Sequence, residues 1–196
     1  DWLKTYFKNK GLDTTNASIV YNGCNLNNFY PGSTSKNKKI KLVTHHWSDN
    51  WMKGFDLYKS IDKYIEDNKD VEFTYVGRYS NLYIPKNTNI VKPLYGKELG
   101  EELRKHDIYV TASRNEPCGM HHIEGAASGL PVIYHKETGG IIEMCVNHGE
   151  EYETFEEFLD CVNKIRNNID FYRKKINRDN LDIQQCCEKF YHHVEN

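Results

Sequence analysis

Residues 108–129 read IYVTASRNEPCGMHHIEGAASG, and their pattern indicates the fold class. Its first five residues are a short apolar run rich in β-branched side chains, which predicts a buried strand over 108–112. A turn containing Pro117 follows, and the composition of 119–128 predicts a helix that Gly129 ends. A buried strand joined to a helix by a tight turn is typical of one unit of a parallel α/β sheet.

The same alternation of short strands and helices continues on both sides of this unit. We predict strands over 18–21, 40–44, 71–77, 90–92 and 131–134, and helices over 2–10, 54–68, 97–105, 155–168, 170–178 and 182–194. Residues 31–39 are polar and predict a linker or a long surface loop. The predicted fold class is therefore α/β, a doubly wound parallel sheet that is covered on both faces.

The composition excludes several classes of protein. The chain of 196 residues has 26 basic and 28 acidic side chains, and no basic block of the kind that binds nucleic acid. Its apolar runs are too short to cross a bilayer. Six widely spread cysteines favour a reducing, cytoplasmic setting over a secreted disulfide scaffold. The first residues already read as a helix with no leader, so we expect the chain to begin inside a longer protein.

Ligands of doubly wound sheets bind beyond the carboxyl ends of the strands, and this edge contains residues 44–54, 77–81, 93–98 and 113–122. The last of these stretches is the richest in candidate ligands. Glu116 precedes the predicted helix and Glu124 lies in its second turn, while Gly119 permits close approach to free N–H groups that suit an anion. A simpler interpretation gives Glu116 an interaction with the helix dipole and makes Glu124 a solvated helix residue.

Several motifs follow one another in a characteristic order. They are VYNGCNLNNFYP over 20–31, KGFD over 53–56, EPCGMHHIE over 116–124, GLPV over 129–132 and GGIIE over 139–143. As an ordered set they resemble the C-terminal donor-binding domain of retaining glycosyltransferases of family four, which includes sucrose-phosphate synthases and many lipopolysaccharide and capsule enzymes. The resemblance implies one half of a two-domain, Rossmann-like GT-B enzyme. It divides the chain into the tail of a missing N-terminal acceptor domain (1–15), a nucleotide-sugar-binding domain (16–180) and a crossover helix (181–196).

The resemblance also implies a role for each matching residue. Glu116 would contact hydroxyls of the transferred sugar, and Glu124 would bind the nucleotide ribose. Lys53 and the backbone amides of Gly119 and Met120 would hold the diphosphate as the leaving group gathers charge. The other candidate donor-binding residues are Cys118, Leu94 beside the base, and Gly139 and Gly140 near the sugar phosphate. A place in the core for Leu94 and a plain turn for the two glycines are equally compatible with the sequence.

The sequence departs from the family pattern at several positions. No arginine stands in 44–50, where the family usually has one, so we expect His46, Ser48 or Arg78 to take over its phosphate contact. His121-His122 replaces the usual apolar pair, and Gly125 stands where alanine is common. These departures leave the sugar specificity open.

No cofactor and no metal is expected. Cysteines and histidines cluster at 118–122 and 186–193, but neither cluster has the paired spacing of a zinc site. The chain also lacks the Asp-x-Asp motif of metal-dependent glycosyltransferases.

The predicted function is the donor-binding half of a metal-independent, retaining glycosyltransferase of glycan or polysaccharide synthesis. Its partners would be a nucleoside-diphosphate sugar and the missing acceptor domain, and membrane association through that domain is open. We expect this chain alone to bind the donor but to transfer little sugar. A catalytically inactive nucleotide-sugar-binding module and a phosphorylase-like enzyme that uses a sugar phosphate are the alternatives.

Overall fold

The computed structural model describes residues 1–32 and 39–195. Its strands are β1 (Ile40–His46), β2 (Val71–Gly77), β3 (Asn89–Val91), β4 (Ile108–Thr111), β5 (Val132–His135) and β6 (Gly149–Tyr152). They form one sheet in the order β3-β2-β1-β4-β5-β6, and every neighbouring pair is parallel. The predicted α/β, doubly wound class is confirmed. Most of the predicted loop over 31–39 lies outside the described residues.

Helices connect the strands and flank the sheet. They are α1 (Trp2–Asn9), α2 (Phe55–Asp67), α3 (Gly96–Leu103), α4 (His121–Ala127), α5 (Ile141–Cys145), α6 (Phe155–Asn167), α7 (Ile169–Lys174) and α8 (Ile183–Glu195). Two short 3₁₀ helices span Trp51–Lys53 and Asp179–Leu181. In the described part of the chain, no helix is long and apolar enough to cross a membrane.

The sheet separates two apolar cores because successive side chains of a strand point to opposite faces. In β1, Leu42 belongs to the core under α2 and α6, whereas Val43 belongs to the core under α3, α4 and α5. In β4, Val110 and Tyr109 divide in the same way. Burial on both faces explains why these strands read as continuous apolar runs in the sequence.

Three features of the chain differ from the prediction. Residues 18–21 form no strand, because no neighbouring strand runs beside them, and Ile19 and Tyr21 stay exposed. The helix α5 and the edge strand β6 were not predicted. The first has only five residues, and the second reads GEEY, with two charged residues where an apolar pattern would be expected. The remaining predicted elements form, with ends shifted by a few residues.

The two terminal helices bury no side chain. α1 is attached through the N–H of Trp2, which donates to Glu143, and through Lys4 Nζ, which donates to the carbonyl of Ala17. The start of α8 is attached by a bridge between Cys24 and Asp182. The predicted boundary at 15 lies outside the two cores, whereas the boundary at 180 adjoins Leu181, which is buried in the core under α3, α4 and α5. Both boundaries stay predictions.

Gly54, which links the 3₁₀ helix to α2, provides a test of this packing. Its φ is +87°, and a Cβ there would lie 2.1 Å from the Cβ of Ala112. We expect Gly54→Ala to lower the free energy of unfolding by about 3 kcal/mol, through left-handed strain and overpacking together. The matched control is Gly11→Ala, since Gly11 has a φ of +81° with nothing within 4 Å of a Cβ. It should cost about 1 kcal/mol. Equal losses in urea unfolding would contradict the contact with Ala112.

Candidate functional site

The strand order reverses between β1 and β4, and the loops at the carboxyl ends of the two strands diverge from such a point to leave a crevice between them. The loop after β1 contains the 3₁₀ helix Trp51–Lys53, and the loop after β4 contains Glu116. The two loops are joined directly, because the N–H of Arg114 donates to the carbonyl of Met52 at 2.9 Å. Lys53 and Glu116, which are 63 positions apart in the sequence, therefore face the same crevice.

Lys53 and Glu116 form an ion pair across this crevice, with side chains 22% and 16% exposed. The backbone of Glu116 is held by the loop that follows β5. Its N–H donates to the carbonyl of Thr138 at 2.9 Å, and its own carbonyl accepts from the N–H of Gly140 at 3.0 Å. Gly139 is close enough that a Cβ there would lie 2.9 Å from the Glu116 carbonyl oxygen. The structure thus brings together four of the residues that the sequence singled out.

Gly119 lies against the same carboxylate. A Cβ at this position would lie 2.8 Å from Cγ of Glu116 and 2.9 Å from Cε1 of His121. The helix predicted over 119–128 begins instead at His121, because the carbonyl of Met120 accepts its first hydrogen bond, from Glu124. Within the described residues, the N–H groups of Gly119 and Met120 donate to no acceptor. Both donors therefore lack an acceptor among these residues; Met120 is half-buried and Gly119 is buried.

Glu124 is held at the other side of the crevice by His45, the penultimate residue of β1. The distance between Oε2 of Glu124 and Nε2 of His45 is 2.7 Å. The hydroxyl of Tyr109, in β4, lies 3.1 Å from Nδ1 of the same imidazole and accepts from the N–H of His45 at 3.2 Å. A chain of hydrogen bonds therefore connects three elements. His45 and Tyr109 were not predicted as site residues, because only the sheet brings them near Glu124.

Buried histidines form the floor of the crevice. Nε2 of His46 lies 2.8 Å from the hydroxyl of Tyr58, and Nε2 of His121 lies 2.9 Å from Oγ1 of Thr111. Burial holds the pKa of both imidazoles well below the ordinary value, and nearby histidines lower it further. His46 is consequently neutral near pH 7 and cannot supply the positive charge of the arginine that the family usually has here. Its predicted contact with a phosphate stays a prediction.

The other predicted donor-binding residues surround the crevice. Oγ of Ser48 accepts from the N–H of Asn50, and Leu94 is half-buried against the core under α3 and α4. Cys118 is exposed, and its carbonyl accepts from the side-chain amide of Asn22 at 3.1 Å. The guanidinium of Arg78 lies 5.7 Å from the centre of the Trp47 ring. These contacts neither assign nor remove a donor-binding role.

A close, tilted pair of aromatic rings at the rim was not predicted. The rings of Trp47 and Tyr95 have centroids 4.1 Å apart, and both side chains are largely exposed. Each follows a strand at the carboxyl edge, which is the signal that could have identified them. In the described ranges, no group of three or more His, Cys, Asp or Glu residues is arranged to hold a metal ion. The absence of a metal requirement stays a prediction.

The buried histidines should make the stability of the protein depend on pH. Burial lowers the pKa of His122 to about 3, and neither of its ring nitrogens has a hydrogen-bond partner. Below pH ~6.5 the unfolded chain binds a proton at this residue and the folded chain does not, so the free energy of unfolding falls as pH falls. We expect His122 to contribute about 2 kcal/mol to the difference between pH 7 and pH 5.

Urea unfolding at pH 7, 6 and 5 measures this dependence. His122→Leu should reduce the difference between pH 7 and pH 5 by about 2 kcal/mol. The matched control is His193→Leu, since His193 is exposed on α8, and it should leave the difference unchanged. A difference in His122→Leu as large as in the unmodified chain would contradict the assignment.

A family model described as glycosyl transferases group 1 matches residues 28–170. The chain is 28% identical over 175 residues to a probable sucrose-phosphate synthase of Thermosipho melanesiensis. The match covers 78% of this chain and 40% of that protein. It is also 32% identical over 88 residues to a putative UDP-N-acetylglucosamine 2-epimerase of Clostridium acetobutylicum. This match covers 40% of this chain and 23% of that protein. The chain thus spans less than half the length of either relative.

Among solved structures, the chain is similar to Anabaena Alr3699/HepE in complex with UDP. The TM-score is 0.78 at 16% identity, and the match covers 98% of this chain and 61% of that one. This likeness shows a shared fold, the Rossmann-like architecture of GT-B glycosyltransferases. The family itself is shown by the model, which matches well over half of the sequence, and the chain belongs to the glycosyl transferases group 1 family.

Proposed function

We propose that this chain is the donor-binding half of a retaining glycosyltransferase. The enzyme would transfer a hexose-type sugar from a nucleoside diphosphate to a hydroxyl acceptor, in glycan or polysaccharide synthesis. The observation that carries this proposal is the ion pair of Lys53 and Glu116 at the switch point of the sheet, fixed by the backbone of the loop at Gly139 and Gly140. A solved complex of Anabaena Alr3699/HepE with UDP-glucose supports a nucleotide sugar as the ligand.

In this proposal, the diphosphate binds beside Lys53. The bond between the anomeric carbon and the diphosphate oxygen breaks, and the leaving group takes the electron pair. The ammonium of Lys53 and the unpartnered N–H groups of Gly119 and Met120 stabilise this added charge. Fixed donors of this kind cost little reorganisation during the reaction, so they can do without a metal ion. We therefore propose a metal-independent reaction.

The sugar would lie beside Glu116. A carboxylate accepts hydrogen bonds from hydroxyl groups, and its pairing with Lys53 puts the sugar site next to the diphosphate site. The acceptor oxygen would bond to the anomeric carbon on the face from which the diphosphate departs, and its proton would pass to the leaving diphosphate oxygen. Attack on that face retains the anomeric configuration.

The acceptor site would belong to another part of the protein. The matched structure is longer than this chain, which covers 61% of it. We propose that an acceptor domain closes over the crevice, that α1 and α8 contact it through side chains left unburied here, and that the enzyme works in the cytoplasm, at a membrane where the acceptor requires it.

Binding of the nucleotide tests the donor site directly. We expect UDP, GDP, ADP or CDP to raise the melting temperature by about 5–10 °C at roughly a hundredfold over its dissociation constant, with or without EDTA. Lys53→Met should abolish most of this shift, because it removes the diphosphate cation, and Glu124→Ala should remove about half of it, because it removes the ribose acceptor. Lys53→Arg should retain part of it.

The matched control is Lys63→Ala, since Lys63 is an exposed lysine on α2 away from the crevice. It should preserve the full shift. An undiminished shift in Lys53→Met and Glu124→Ala, or a shift that requires a metal, would contradict this site. No shift with any of the four nucleotides would contradict the proposed binding function.

An inactive nucleotide-sugar-binding module is the second candidate. The neutral, buried His46 favours it, because this histidine stands where the family usually has a cationic arginine.

Sugar transfer separates the two candidates. We expect the full-length protein to transfer radiolabelled sugar with retained anomeric configuration, as read by proton NMR of the product, and this chain alone to transfer at least a hundredfold less. Binding without transfer in the full-length protein would favour the inactive module. An inverted product would contradict the retaining mechanism.

A further inference from the structure

The hydrogen bonds around His45 determine which of its ring nitrogens carries the proton. The hydroxyl of Tyr109 accepts from the backbone N–H of His45, so its own hydrogen is free to point at Nδ1, 3.1 Å away. If Nδ1 accepts, Nε2 of the neutral imidazole must carry the hydrogen. That nitrogen lies 2.7 Å from Oε2 of Glu124. This arrangement satisfies the contacts of Nδ1, Nε2 and the backbone N–H of His45, and it leaves unmade only the longer contact of the Tyr109 hydroxyl with the His45 carbonyl, at 3.4 Å.

This arrangement orients the Glu124 carboxylate. The side chain of His45 is 6% exposed and that of Glu124 is 20% exposed, so the imidazole is fixed while the carboxylate still reaches the crevice. The bond to His45 uses Oε2 of Glu124 and leaves Oε1 for a ligand. A carboxylate that is already held loses less side-chain entropy when a ligand binds.

The packing around Tyr109 supports the same conclusion. A Cβ at Gly125 would lie 2.5 Å from Cγ and Cδ2 of the Tyr109 ring. The glycine, which follows Glu124 directly, therefore lets α4 approach the tyrosine that holds His45. Gly125, which departs from the family pattern, and His45 therefore belong to one structural unit.

We infer that His45, held by Tyr109, is a positioning residue that fixes Glu124 to accept hydrogen bonds from the ribose hydroxyls of the donor nucleotide. The inference rests on the proposed donor-binding function and deepens it. It makes the ligand a ribonucleoside diphosphate, because a deoxyribose lacks one hydroxyl donor. The functional consequence of losing His45 should therefore be a loss of discrimination at the sugar of the nucleotide.

The test compares affinities for ribonucleotides and deoxyribonucleotides by isothermal titration calorimetry. The probe is whichever of UDP, GDP, ADP and CDP binds the unmodified chain, together with its 2′-deoxy and 3′-deoxy forms. We expect the ribonucleotide to bind about tenfold or more tightly than one of the deoxy forms, as for a hydrogen bond to a charged group. Glu124→Ala should bring that ratio close to one and so identify the hydroxyl.

His45→Ala should reduce the same ratio to about threefold or less while leaving the affinity for the deoxy form nearly unchanged. His45→Gln should restore most of the ratio, because its amide N–H can still donate to Glu124, and Tyr109→Phe should give an intermediate ratio. The matched control is His106→Ala, since His106 is similarly buried but precedes β4 at the opposite edge of the sheet. It should change stability without changing the ratio.

A merely structural role would weaken binding of both nucleotide forms equally and leave the ratio unchanged in His45→Ala and Tyr109→Phe. Either that outcome or an unchanged ratio in both His45→Gln and His45→Ala overturns the role of His45, provided that Glu124→Ala still binds the ribonucleotide more weakly. Failure of every nucleotide to bind the unmodified chain overturns the donor site and this inference with it. The two failures are therefore distinguishable.

Discussion

The pairing of β1 with β4 is the constraint on which the rest of the structure depends. Their register, Leu42 with Ile108 and Val43 with Tyr109, joins the two halves of the sheet at its centre. Because crossovers between parallel strands are right-handed, the chain leaves β1 and β4 toward opposite faces, as α2 and α4. The loops at the carboxyl ends must then diverge, and the crevice between them follows from the order of the strands and not from any one side chain.

The buried side chains at the floor of this crevice are polar but uncharged. The hydroxyl of Tyr58, on α2, contacts Nε2 of His46 at the end of β1 and accepts from the N–H of Ala112 after β4, so it connects the diverging elements. Burial keeps His46 and His121 uncharged. Lys53 and the two glutamates then bring charges of both signs to the crevice, which is the separation of charge that the proposed diphosphate and sugar would require.

The departures of this sequence from its family become intelligible as contacts. Gly125 makes room for Tyr109, and His45 connects that tyrosine to Glu124. The sequence shows that Gly125 is unusual but not why, because Tyr109 and Gly125 come into contact only after β4 and α4 have packed. The same holds for His46, which the sequence offered as a phosphate ligand and which the fold turns toward Tyr58.

The fold class and most of the strands and helices follow from the amino-acid sequence alone, because apolar periodicity is a local property of the chain. The sequence did not reveal β6, whose charged residues pair at the edge of the sheet. It also did not reveal that residues 18–21 form no strand. Both outcomes depend on which neighbouring strands are present. Three features appear only in the folded chain: the contact of His45 with Glu124, the position of Gly119 before the helix, and the neutrality of the crevice floor. Each of these depends on distances between segments far apart in the chain, and on burial, which no single segment determines alone.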